Sequence, residues 1–98
     1  MSDEFKIRVH GGKPDLQAIA AALRSKGLVV LAEGEGYVNL AYAGQEEAAR
    51  AWGGHVVVET QPAGVSVVLN AARRPREVVS DIVSELQKQR LAAELLED

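Results

Sequence analysis

The feature that most constrains this chain is a hydrophobic period that changes along its length in a set order. Phe5, Ile7 and Val9 alternate with Lys6, Arg8 and His10, the two-residue period of a strand with one buried face. Leu16, Ile19, Ala20 and Leu23 then recur at helical spacing. Two strand-like runs follow, 28–33 and 37–43, split by Gly34, Glu35 and Gly36, residues suited to a tight turn. A short helical stretch over 45–52 leads to two more strand-like runs, 55–60 and 65–70, and the chain closes with a helical segment over 76–97. The order is β-α-β-β-α-β-β-α, and its start reads as a split β-α-β.

That order implies an α+β domain with a ferredoxin-like βαββαβ core, a fifth strand and a long C-terminal amphipathic helix. On this layout the sheet is antiparallel-rich, the first two helices cover one face, and the first and third strands sit side by side at its centre. Ninety-eight residues provide for one domain, 1–98. Pro14 and Asp15 suit the start of the first helix and Gly27 its end. Val79, Ile82, Leu86 and Leu96 mark an apolar stripe on the last helix, which either packs on its own domain or reaches a partner.

Several chemistries are set aside by composition. With no cysteine, disulfides, thiolate metal sites and cysteine nucleophiles are excluded. Two histidines are too few for a histidine-based metal site without carboxylate help, and no cofactor motif is present. The polar, acidic start is unlike a signal peptide, and no apolar run approaches the roughly 20 residues that span a bilayer; the expectation is a cytoplasmic protein with no membrane partner. A net charge of −3, from 14 acidic and 11 basic residues, argues against a dedicated nucleic-acid binder.

Strand alternation assigns Phe5, Ile7 and Val9, with Val29 and Leu31, to the helix-covered face. The other face is expected to carry Lys6, Arg8 and His10; Leu28, Val30 and Ala32; Tyr37, Asn39 and Ala41; His55, Val57 and Glu59; Ser66, Val68 and Asn70. A face left to water is mostly polar, so these valines and leucine call for a cover: the final helix, a second copy or a ligand. Lys6, Arg8, His10, Tyr37, Asn39 and His55 are the candidate ligand or partner residues of that face. Lys13, in the Gly11-Gly12-Lys13-Pro14 loop before a helix, and Arg73, Arg74 and Arg76 are candidate anion-binding residues. His10 and His55 are the available imidazole acid–bases, but no nucleophile or carboxylate pair completes a catalytic set.

The reading that follows is a non-catalytic interaction or regulatory module, a homodimer or a binder of a protein partner, working through the second sheet face and the C-terminal helix. Over residues 5–60 it is similar in layout to regulatory domains of the ACT type, a likeness that implies pairing and small-molecule binding but matches no motif. One alternative is a small enzyme, similar in size and element order to the dimeric α+β barrels, with a pocket near His10 and His55 and an apolar lining from Val30 and Val57. Another is a single-stranded RNA binder. Basic and aromatic residues on the first and third strands resemble the RNA-recognition motif, with one aromatic where that family uses two.

Overall fold

The alternation at the start of the chain is realised in full. In the computed structural model, which describes residues 2–96, β1 (Ser2–His10) buries Ile7 and Val9 and exposes Lys6, Arg8 and His10. The elements that follow are α1 (Leu16–Arg24), β2 (Leu28–Gly34), β3 (Tyr37–Tyr42), α2 (Glu46–Arg50), β4 (Val56–Gln61), β5 (Gly64–Asn70), α3 (Pro75–Lys88) and β6 (Ala92–Leu96). The fold is α+β: one six-stranded open sheet in the order β2-β3-β4-β5-β1-β6, antiparallel at every pairing. A split β-α-β is present, but it is built by β5, α3 and β6 around β1. No helix among the described residues is long and apolar enough to cross a membrane.

The expected adjacency of the first and third strands is not found. Strand β3 has two edges. The turn after Gly34 gives one to β2, and the short α2 returns the chain so that β4 takes the other. β1 instead pairs with β5, from Ser2↔Asn70 to Arg8↔Gly64.

The last helix is also shorter than expected. α3 stops at Lys88, and β6 runs back along β1 from His10↔Ala92 to Lys6↔Leu96; position 97 lies outside the described residues. Helix termination follows from local geometry. Arg90 takes a left-handed φ of 65°, its N–H donates to the Gln87 carbonyl, and the Leu91 N–H donates to that of Leu86. This is the six-to-one, five-to-two pattern of a Schellman end. Leu91 is then buried in the same core as Leu86.

α3, rather than α2, joins α1 over the core. Ile19, Ala20 and Leu23 of α1 and Val78, Val79, Ile82 and Leu86 of α3 pack with Ile7, Leu40, Val56, Val58, Val65, Val67 and Leu69 in one buried cluster. The Asp15 carboxylate caps α1, accepting from the Gln17 and Ala18 N–H groups at 3.0 and 3.4 Å. α2 has five residues with one, Ala49, buried. It packs at the β2–β3 end of the sheet, where Ala41, pointing away from Leu40 and Tyr42, is fully buried.

In β2 the two faces are exchanged relative to expectation up to Val30, while Ala32, past a bulge, keeps its expected place opposite Asn39 on the open face. Leu28 and Val30 lie opposite Tyr42 and Leu40 and belong to the core side. Because 28–31 is apolar throughout, the period there does not distinguish inside from outside. The cross-strand partners decide it.

Candidate functional site

The sheet face opposite α1 and α3 is read directly from the register. One row across the strands is Leu96, Lys6, Ser66, Glu59 and Tyr37; the next is Glu4, Val68, Val57, Asn39 and Ala32. Val57 and Val68 are cross-strand partners, both half-buried, at the middle of the face, and Val29 is half-buried toward its β2 edge. Asn39 lies opposite Val57, and its side-chain oxygen is buried with no hydrogen-bond partner among the described residues. Lys6, Arg8, Glu59 and Tyr37 form an exposed rim. Lys6 approaches Glu4 at 3.9 Å and Arg8 approaches Glu94 at 4.0 Å, solvated pairs that contribute little to stability.

Lys6, Arg8, Tyr37 and Asn39 do share this face, but β5 and β4 stand between the basic pair and the aromatic. Three strand spacings separate Lys6 from Tyr37, roughly 14 Å. The compact basic–aromatic strip expected on adjacent strands is therefore not formed.

The two histidines are not brought together. His10 pairs with Ala92 at one end of β1. The His55 carbonyl accepts from the N–H of Asn70, whose partner Ser2 is at the other end. The two ends are eight residue steps apart, roughly 26 Å, too far to share a pocket. Nor is His55 a residue of the open surface: it is 2% exposed. Its ring packs against Tyr42 at 4.7 Å and edge-on to Trp52 at 5.4 Å between centroids. Its Nδ1 accepts the Tyr42 backbone N–H at 3.2 Å. Burial, and secondarily the Arg73 guanidinium, hold the imidazole pKa below its ordinary value.

Arg73 and Arg74 border one cavity of about 350 Å³ with Lys26, whereas Arg76 lies apart from them. The Arg73 guanidinium sits 4.4 Å over the Tyr42 ring. The Arg73 backbone N–H donates to the Tyr42 hydroxyl at 2.6 Å, and that hydroxyl lies 3.2 Å from the Arg73 carbonyl it donates to. Arg74 pairs with Glu77 at 3.5 Å. Arg76 borders a separate apolar groove of about 240 Å³ lined by Phe5, Val79, Val83 and Leu95. Lys13 is exposed beside Pro62, in another part of the molecule.

The stripe assigned to a partner helix serves the core instead. Val79, Ile82 and Leu86 are buried against the sheet, and Leu96 is an exposed residue of β6. The Tyr42–His55–Trp52–Arg73 cluster was not visible as a unit in the sequence. Its only local signal is the tryptophan followed by Gly53, Gly54 and His55.

Comparison with protein-family models, curated proteins and solved structures finds no match for the chain. The open face offers apolar area ringed by charge, and the His55 cluster offers a buried titratable group close to a cation, Arg73.

Proposed function

We propose that this chain is an interaction module that pairs with a second copy through the open sheet face. The observation that supports this is the half-buried Val57–Val68 pair, with Asn39 beside Val57, on the side of the sheet that α1 and α3 leave free. Antiparallel sheets that keep one face in water present a mostly polar face there, and two such faces pack about 10 Å apart in sandwiches.

The face is also self-complementary. A two-fold axis along the strands, between β4 and β5, lays Val57 over Val68 of the second copy. The same operation sets Lys6 over Tyr37 of the second copy, a cation facing an aromatic ring rather than a like charge. With the apolar side of α3 in the core, the helix has no part in this interface.

Light scattering coupled to size exclusion tests the reading. The expected result is a dimer that Val57→Lys converts to a monomer of unchanged far-UV circular dichroism, while Ser84→Lys, on the exposed side of α3, leaves it dimeric. A wild-type protein that stays monomeric at high concentration overturns it.

A further inference from the structure

We propose that His55, Tyr42 and Arg73 form a proton-operated latch, in which protonation of His55 at Nδ1 releases Trp52 and the glycine pair that follows it from the end of the sheet. The latch stands independently of whether the open face pairs with a second copy.

The closed state is defined by one hydrogen bond. Nδ1 receives the Tyr42 backbone N–H, so its lone pair is in use and the proton of the neutral ring resides on Nε2. Adding a proton at Nδ1 sets two donors against each other at the same 3.2 Å separation and strands a buried backbone N–H, which is unfavourable because the orphaned group loses its partner without gaining water. Among the described residues no carboxylate forms an ion pair with the imidazole that would stabilise the added charge. The neighbouring elements present Tyr42 from β3, neutral Trp52 from the segment after α2, and neutral Asn70 from β5. The charge acting on the ring is Arg73, from the loop between β5 and α3, and it is positive. Neutral His55 is therefore favoured, and the latch is closed at neutral pH.

The segment that the latch holds has few other anchors. Asn70 donates its side-chain N–H to the Trp52 and Gly54 carbonyls at 3.4 and 3.0 Å, and Trp52 itself is 48% exposed. Gly53 and Gly54 have φ values of 86° and 129°, backbone states that glycine leaves and enters without steric penalty. α2, immediately before, buries a single residue. Gly54 is buried against the Leu40 backbone, but an exposed tryptophan, a glycine pair and a helix with one buried residue are the properties of a segment that opens below the global unfolding free energy.

Trp52 is the sole tryptophan and His10 the only other histidine, which makes the test direct. In full-length protein carrying His10→Gln, Trp52 emission is followed from pH 8 to pH 5 alongside far-UV circular dichroism. The expected result is a one-proton step in emission centred below the ordinary imidazole value of about 6.5, with far-UV dichroism unchanged. His55→Asn, whose carboxamide can accept the Tyr42 N–H without titrating, abolishes the step. Arg73→Gln, which removes the nearby cation, moves it to higher pH. Flat emission, a step that survives His55→Asn, or a step that coincides with loss of far-UV signal overturns the latch. Should His55→Asn fail to fold, the Arg73→Gln midpoint decides: an upward shift supports the latch and an unmoved midpoint overturns it.

Discussion

Asp15 and Gln89, 74 residues apart, exchange hydrogen bonds in both directions: the Asp15 N–H donates to Gln89 Oε1 at 2.8 Å, and Gln89 Nε2 donates to the Asp15 carbonyl at 3.1 Å. One is the N-cap of α1 and the other the C-cap of α3, so a single side chain ties the start of one core helix to the end of the other. Gln89→Ala removes both bonds from a partly solvated site. At roughly 0.5–1.5 kcal/mol per bond, stability is expected to fall by about 1–2 kcal/mol, read as a lower urea midpoint with an unchanged slope. A change within error would mean that water replaces Gln89 at no cost.

The same junction shows what was and was not legible in the chain. Phe5, Ile7 and Val9 could be assigned to the core side because their polar neighbours alternate strictly, and Tyr37, Asn39, Val57, Val68, Lys6 and Arg8 could be assigned to the open face by the same period. Which strand lies beside which was not available locally. Adjacency of β3 and β4 depends on how α2 turns the chain, and α2 leaves almost no pattern. β6 was hidden because Ala, Glu and Leu are good helix formers, and the Schellman end before it carries arginine where glycine is the usual signal. Tertiary pairing with β1 overrides the propensity of 92–96. His55 reads as one more residue at the start of a strand, since its partners come from β3, the α2 exit and the loop before α3.

Arg90 is the residue at that helix end whose backbone is least comfortable. It holds φ at 65° in the position after the cap where glycine is preferred, and the left-handed region costs a side-chain-bearing residue roughly 1–2 kcal/mol. Part of that is returned by the greater unfolded-state freedom of glycine. Arg90→Gly is expected to raise stability by about 0.5–1 kcal/mol in urea unfolding, and Arg90→Val, β-branched and poorly suited to positive φ, to lower it. A destabilised Arg90→Gly would show that the arginine side chain contributes more than its backbone strain costs.

His55 also gives stability a pH dependence whose sign follows from the direction of its shift. Its folded-state pKa lies below the unfolded value because burial and Arg73 disfavour the charged ring. The unfolded chain therefore takes up the proton first. The contribution is complete above the unfolded value of about 6.5, is lost as pH falls from there through the folded-state value, and is constant below it. Urea midpoints measured between pH 8 and pH 5 should decline across that window, and His55→Asn should remove the histidine component while leaving the acid limb that carboxylates produce. A wild-type midpoint that rises on acidification through this window would contradict the assigned sign.

Asn39 carries a buried side-chain polar atom that the described residues leave unsatisfied. It occupies the central row of the open face between Ala32 and Val57, with its side-chain oxygen buried and unpartnered among the described residues. A buried acceptor without a donor costs about 1–3 kcal/mol, whereas a β-branched residue fits a half-buried strand position well. Asn39→Val should therefore raise the urea midpoint, by about 1 kcal/mol, in protein dilute enough to be monomeric. On the pairing proposed above, it should also favour self-association at higher concentration, because it extends the Val57–Val68 patch by one residue. The two effects separate by their dependence on protein concentration: the first is constant and the second grows. A lower midpoint in dilute protein would identify Asn39 as a group satisfied by an ordered water, and its carboxamide would then be a structural element of the face.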